Sequence, residues 1–401
     1  MPRHVVAAGD AGQPVRGPLP RTRGRQRTHL PVEVAYVAAL SRVRIVGTGL
    51  IGTSIGLAIR DRGVEVSLSD PSPTAVALAA DLGAGRLATD DDPAPELIVV
   101  AAPPDVTGDV VAQQLTRFPQ ATVTDVASVK RVIAHELAEA GADASRYVGG
   151  HPMAGRERSG AISGRSDLFQ GRPWVVVPTS NSHPGRVEQV CALAELAGAV
   201  VTRMEAAEHD AAVAAVSHVP QVAASLVASR LRELPTESVA LAGQGLRDVT
   251  RIAASDPALW TQILVGNASA VRDILAELAR DLGGVVAALD AIGDNPDALA
   301  PGARGVLAAL VADGNAGHAR IPGKHGLTAV AYGVVTVVVA DEPGTVARLL
   351  HDIGAEGVNM EDLHIEHEVG RQVGIVQVSV VPQAVEPLIE ALRRRGWNVR
   401  D

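Results

Sequence analysis

The apolar positions follow three successive rhythms along the chain. In the first, from Ser41 to about residue 180, short continuous apolar runs alternate with helical stretches. Val43-Arg44-Ile45-Val46 reads as a buried strand, Ser54 to Arg60 as a helix ended by Gly63, and Glu65 to Ser69 as a second strand. Leu97 to Ala102, Thr122 to Val126 and Trp174 to Val177 supply further strands, the first of them closed by Pro103-Pro104. Strands separated by helices in this way predict a parallel, doubly wound α/β sheet. Such sheets bind ligands beyond the carboxyl ends of their strands. The loops after Ala102, Val126 and Val148 are therefore where chemistry is expected.

The second rhythm begins at Pro184, where long alanine- and leucine-rich helices take over. Pro220, inside the stretch Ala206 to Leu231, removes the bond to the carbonyl of Val216 and predicts a kink beside Ser217 and His218, a place for a pocket wall. Helices this apolar cannot hide every face within one small domain, which predicts a homodimer. The third rhythm follows a polar linker containing Asp313-Gly-Asn-Ala-Gly317 and Pro322-Gly-Lys-His-Gly326. Strands at Val334 to Ala340, Val358 to Glu366, Val373 to Val381 and Trp397 to Val399, with helices at Thr345 to Gly354 and Pro382 to Arg395, give the order βαββαβ, a ferredoxin-like arrangement.

The expected organisation is a basic tail (1–40), an α/β domain (41–180), a helical domain (181–312), a linker (313–328) and a third domain (329–401). The tail is broken by Pro14, Pro18, Pro20 and Pro31 and has no apolar period, so it is left out of the fold. Hydrophobic residues make up 47% and charged residues 20% of the chain, the balance of a folded globular protein. A net charge of -9 gives no support for nucleic acid or an anionic membrane as the main partner, and a small-molecule substrate is expected instead. Cys191 is alone, so no intrachain disulfide can form and a reducing, cytoplasmic location is expected. No continuous apolar run approaches the roughly 18 residues of a membrane span. No metal site is expected.

The first strand runs directly into Gly47-Thr-Gly49-Leu50-Ile51-Gly52, and a helix follows at once. In that setting Gly47 allows a tight turn, Gly49 lets a pyrophosphate approach the backbone, and Gly52 lets helix pack on strand. The helix N-terminus then offers unpaired N–H groups, including those of the Leu50-Ile51 turn, to the phosphates. Asp70, at the end of the second strand, is placed to accept bonds from the adenosine ribose and to repel a 2′-phosphate, which favours NAD. Ala102 and Pro103, closing the Leu97 strand, complete the expected cofactor contacts.

Two further loops point at the chemistry. Asp125-Val-Ala-Ser128-Val-Lys130 follows the Thr122 strand, and Gly149-Gly150-His151-Pro152-Met-Ala-Gly155 follows Tyr147-Val148. Both lie on the nicotinamide side, and Pro152 with the flanking glycines is expected to fix His151 in a tight loop. Oxidising an alcohol needs a base for the hydroxyl proton, and an imidazole suits that task near neutral pH.

These motifs, together with Arg247-Asp-Val-Thr-Arg251-Ile-Ala, resemble the prephenate/arogenate dehydrogenase family over roughly residues 41 to 310. The resemblance implies NAD-dependent oxidative decarboxylation of prephenate or arogenate in tyrosine biosynthesis. It implies that His151 takes the ring hydroxyl proton, that Ser128 orients that hydroxyl and His151, and that Arg251 binds the substrate's carboxylate. Arg156, directly after the HPMAG segment, is expected to read the side chain distinguishing the two substrates, and Ser217, His218 and Trp260 to line the pocket. Gln221 stands where the family usually has histidine.

Asp341-Glu-Pro343-Gly344 and Gly357-Val-Asn359 resemble an ACT domain. That implies an amino-acid effector, tyrosine the natural one, with Asp341, Gly344 and Asn359 as contacts. The competing readings are a β-hydroxyacid or 6-phosphogluconate-like dehydrogenase, which commonly places a lysine in its helical domain, and a non-catalytic NAD and amino-acid sensor. The pairing of Ser128 with His151 speaks against the sensor.

Overall fold

The computed structural model describes residues 40–155, 159–293, 302–322, 332–367 and 373–400. The expectations for residues 1–39, for Arg156 and for the linker residues 323–328 lie outside the described residues.

Strands β1 (Arg42–Val46), β2 (Glu65–Ser69), β3 (Arg86–Leu87), β4 (Leu97–Val100) and β5 (Thr122–Asp125) form an all-parallel sheet in the order β3-β2-β1-β4-β5. The intervening helices are α1 (Leu50–Arg60), α2 (Pro73–Asp81), α3 (Thr107–Arg117) and α4 (Arg131–Glu139). Every residue of β4 and β5 is buried, which is why β4 shows a continuous apolar run rather than alternation. The register aligns Val46 with Val100 and Val100 with Asp125, so the glycine loop and the loops after β4 and β5 leave the same edge.

A second sheet departs from the expected plan. β6 (Val148–Pro152), β7 (Pro173–Pro178) and β8 (Val200–Arg203) lie in the order β6-β7-β8, with β6 antiparallel to β7 and α5 (Pro184–Leu196) between β7 and β8. A bridge between Val123 and Tyr147 ties this sheet to β5. His151 therefore sits in a strand, opposite Val175, and not in the tight loop expected. Two glycines in succession hid that strand, and packing explains both. A Cβ at Gly150 would lie 2.7 Å from the Asp125 carbonyl oxygen, and one at Gly149 would lie 3.0 Å from the Val177 oxygen. The strand β8 extends this α/β part beyond Pro184, where a switch to helices was expected. It is four residues long, too short to register as a period.

The helical part comprises α6 (Ala206–Val213), α7 (Val219–Arg230), α8 (Thr236–Val239), α9 (Gln244–Thr250), α10 (Pro257–Gly266), α11 (Ala268–Gly293) and α12 (Ala303–His318). The kink expected at Pro220 takes the form of a π-turn, Ala214–His218, in which the Val219 N–H reaches back five residues to the Ala214 carbonyl. Counted through this turn, Ala206–Glu233 is long and apolar enough to cross a membrane by length and composition, contrary to the sequence expectation. Its first turns carry the buried His209 and Asp210, whose side chains bond into the α/β part. The expected linker residues Asp313 to Gly317 belong to α12. Glycine costs a helix only about 1 kcal/mol against alanine, and α12 is held by packing on α11.

The last part consists of β9 (Gly333–Ala340), α13 (Thr345–Ala355), β10 (Asp362–His367), β11 (Val373–Val380), α14 (Val385–Arg394) and β12 (Asn398–Arg400). Its sheet, β10-β11-β9-β12, is antiparallel throughout. This is the βαββαβ element order expected. Alternate residues of β9 and β11, among them Val335, Val337, Val376 and Val378, are buried against Leu349, Leu388 and Leu392.

Candidate active site

The glycine loop fits a dinucleotide. Gly47 has φ +99°, and a Cβ there would lie 2.3 Å from the Ala101 carbonyl oxygen. A Cβ at Gly52 would lie 2.0 Å from the Gly47 oxygen, so neither position accepts a side chain. At Gly49 a Cβ would meet nothing within 4 Å: the backbone there faces open space that a pyrophosphate can approach. Gly49 is the N-cap of α1 and provides no side-chain cap, which leaves the amides of the Leu50-Ile51 turn to an anion. The Ala102 and Pro103 carbonyls accept from Thr107 Oγ1 at 3.2 and 2.9 Å, which pins the neighbouring loop.

Asp70 also holds this loop together. Its Oδ2 accepts from the Thr48 amide (2.7 Å) and Thr48 Oγ1 (3.0 Å), and its Oδ1 from the Ser72 amide (2.8 Å). One acceptor site remains on Oδ1, enough for a ribose hydroxyl. Arg60, close in sequence, is turned away onto the Gly83 carbonyl.

Beyond β5 the chain lays down a buried ionic cluster. Asp125 pairs with Lys130 Nζ, accepts from Tyr147 Oη at 2.7 Å and takes the Ala127 amide at 2.8 Å. Burial pulls the Lys130 ammonium below its ordinary value, against the opposing charge of Asp125. Burial likewise pushes the Tyr147 phenol well above its usual range, helped by Asp125. This cluster fixes both ends of the loop that carries the half-buried Ser128.

His151 lies against it and is 8% exposed. Its Nδ1 is 2.8 Å from His209 Nε2, and His209 Nδ1 is 2.8 Å from Asp210 Oδ1. Burial, then the neighbouring His209, Lys130 and His218, hold the His151 pKa well below the ordinary histidine value, so the ring is neutral at neutral pH. Asp210 also accepts from the amides of Lys130 (2.9 Å) and Arg131 (3.0 Å) at the start of α4. Burial alone would raise its pKa, but the bonds from His209 and these two amides outweigh it and keep the carboxyl ionised.

His218, 1% exposed, completes the cluster. Asn267 Nδ2 donates to the Asp210 carbonyl oxygen (2.8 Å) and lies 3.1 Å from His218 Nδ1. His218 Nδ1 is therefore the acceptor, and its proton sits on Nε2, which has no hydrogen-bond partner among the described residues. Trp260 packs edge-on against the same ring, centroids 6.1 Å apart. Ser217 lies beside it in the π-turn, half-buried. Gln221 is buried, donating to Ser225 Oγ at 3.3 Å and accepting from Ser255 Oγ at 3.4 Å. Arg251 is exposed just beyond α9. Asp248 accepts from Gln244 Nε2 at 2.8 Å.

The structure thus gathers His151, His218 and Trp260 with the Ser128 loop. It adds His209, Asp210, Asn267, Lys130, Asp125 and Tyr147, to which no role was attached from sequence. The available signal was the consecutive His209-Asp210 pair one helix upstream of Ser217-His218. Nine residues along an ideal α-helix turn through about 180°, placing the two histidines on opposite faces. The π-turn absorbs one residue and brings them to within about 80°. In the C-terminal part, Gly344 has φ +89° and caps α13, Asp341 follows β9, and Asn359 Nδ2 donates to Glu361 at 3.0 Å.

Residues 55–203 match the family described as "Prephenate dehydrogenase, nucleotide-binding domain", and residues 205–297 match "Prephenate dehydrogenase, dimerization domain". The chain is 38% identical over 354 residues to "Probable prephenate dehydrogenase NovF" of Streptomyces niveus, covering 88% of this chain and 98% of that one. It is 31% identical over 260 residues to the prephenate dehydrogenase of Bacillus subtilis (strain 168), covering 60% of this chain and 68% of that one. Among solved structures, the prephenate dehydrogenase of A. aeolicus in complex with hydroxyphenyl propionate and NAD+ is similar with a TM-score of 0.61 and 26% identity. That match covers 71% of this chain and 99% of that one.

Proposed function

The chain belongs to the prephenate dehydrogenase family, NAD-dependent oxidoreductases of tyrosine biosynthesis, and from that premise we propose how its residues divide the work. The carrying observation is a buried imidazole, His151, kept neutral at the carboxyl edge of a dinucleotide-binding sheet. A neutral ring can accept the proton of the substrate's ring hydroxyl. Ser128, on the adjoining loop, orients that hydroxyl. NAD, held by the Gly47–Gly52 loop and Asp70, would supply the acceptor for the hydride on the ring carbon that bears the hydroxyl. The ring carboxylate leaves as carbon dioxide, and the ring becomes aromatic. No large charge has to be created by the protein, which mainly positions the ring and its base.

The unpartnered Nε2–H of His218 supports a role in substrate binding, since a buried donor without a partner is costly until a ligand supplies an acceptor. Arg251 provides the forked guanidinium for a substrate carboxylate. Trp260 walls the pocket, and Ser217 and Gln221 contribute polar contacts from the kinked helix. Arg156 reads the keto or amino side chain. Cytoplasmic location agrees with the lone Cys191.

Two features belong to the assembly. The helical part carries exposed apolar side chains in rows on α11 (Leu278, Leu282, Val286, Leu289) and on α12 (Val306, Leu310). Covering them supports a homodimer, in keeping with the dimerization-domain match. The βαββαβ order and antiparallel sheet support reading the C-terminal part as an ACT domain that binds tyrosine through Asp341, Gly344 and Asn359. Titration calorimetry with tyrosine and phenylalanine tests that reading, which fails if neither gives heat or changes turnover.

The decisive experiment follows NADH absorbance with prephenate and arogenate offered separately, on the unaltered protein and on His151→Ala. Loss of a general base should lower kcat by about 10²–10⁴-fold. Near-normal turnover in the variant would remove His151 from the mechanism.

A further inference from the structure

His151 is useful as a base only if the nitrogen facing the substrate carries no proton, and what lies behind the ring decides this. We propose that His209 and Asp210 form a positioning pair that keeps the proton of neutral His151 on Nδ1, leaves Nε2 bare for the substrate's proton, and then shares the charge the ring acquires. The inference rests on the reading of His151 as the base.

With a single proton on His209, the hydrogen-bond chain has one assignment. An ionised carboxylate only accepts, so the 2.8 Å contact of Asp210 Oδ1 requires a proton on His209 Nδ1. In neutral His209 the Nε2 lone pair is then free to accept. The 2.8 Å contact from His151 Nδ1 therefore requires the proton on that atom. A neutral imidazole carries one N–H, so His151 Nε2 is bare. The reverse chain would need either a donor at Asp210 or a second proton, and so a charge, on the fully buried ring of His209. The amides of Lys130 and Arg131 already fill the neighbouring acceptor sites and hold that group as a carboxylate.

The same carboxylate does a second thing. By binding the two amides directly after Ser128-Val129, it ties the loop carrying Ser128 to the helix carrying His209. One residue of the helical part thus sets both the tautomer of the base and the place of the residue that orients the hydroxyl. Among the described residues, the charged and titratable groups around His151 are His209, Lys130 and His218, with Asp210 and Asp125 one contact behind. When His151 becomes an imidazolium, Asp210 is the carboxylate reached through a single intervening ring.

The test uses the full-length protein with NAD and prephenate and three variants: His151→Ala, His209→Leu and His209→Gln. In His209→Leu the acceptor is gone, and kcat should fall by about 10²-fold or more, the scale of losing properly poised base catalysis. KM for prephenate should stay within about threefold, because no substrate contact is removed. In His209→Gln the amide oxygen stands near the lost Nε2 and should recover roughly tenfold of that loss. Ring ¹⁵N spectra of the unaltered protein should show the His151 proton on Nδ1, and should show that preference lost in His209→Leu. A kcat in His209→Leu within about threefold of normal, beside a His151→Ala protein that is nearly inactive, would leave the base standing and overturn the pair. A His151→Ala protein that still turns over would instead overturn the base itself. If His209→Leu does not fold, the unaltered protein's spectrum decides, and a proton on His151 Nε2 refutes the proposal.

Discussion

Replacing His218 by asparagine should make the protein less sensitive to acid, even though it damages the pocket. His218 is 1% exposed, and burial moves its pKa from 6.5 to about 4, with the charge of Asp210 opposing that shift and His209 adding to it. Between those values the unfolded chain binds a proton that the folded chain refuses. Stability is therefore fully present above about 6.5, the unfolded value, and falls as pH drops toward the folded value. At roughly 1.4 kcal/mol per pH unit, His218 should cost about 2–3 kcal/mol at about pH 4.5 relative to pH 7.5. His218→Asn keeps an acceptor near Nδ1 for Asn267 and cannot be protonated. His151 contributes in the same direction, and Asp210 only at lower pH, but both are present in the two proteins and cancel in the difference. Urea denaturation of both proteins between about pH 4.5 and 8 gives two stability curves. Their separation should change by about 2–3 kcal/mol across that range. Parallel curves, or a His218 ring that titrates near 6.5 by NMR, would refute the buried neutral donor and its role in substrate binding.

Three further outcomes follow from particular contacts. Gly47→Ala should destabilise the α/β part by at least about 1–2 kcal/mol from the left-handed backbone alone. The overlap with the Ala101 oxygen adds to this, and thermal melting and NAD titration should both report the loss. Arg251→Ala should raise KM for the substrate more than it lowers kcat, and Arg251→Lys should recover little, because an ammonium cannot match two parallel bonds to a carboxylate; a fall in kcat alone would move Arg251 out of the binding role. Leu282→Glu on the exposed row of α11 should shift the protein toward monomer in sedimentation velocity, and an unchanged sedimentation coefficient would place the dimer contact elsewhere.

The sequence by itself determined the parallel sheet, the glycine loop with Asp70, and the βαββαβ order of the C-terminal part. Each is written in contiguous residues: a four-residue apolar run, a glycine at a fixed offset, a period of two or 3.6. It also singled out His151 and Ser128 as the residues to watch. Only the tertiary structure decided what surrounds them. β6 was read as a loop because Gly149 and Gly150 carry no side chains to show a period, and their reason for being glycine is the backbone of β5 and β7. The linker at Asp313 became helix because α11 packs beside it. His209 had no visible role because an ideal helix points it away from His218, and the π-turn beside Pro220 turns it back. His151 can be singled out from its neighbours in sequence, but the ring that its Nδ1 meets lies 58 residues away, and folding alone brings the two to 2.8 Å.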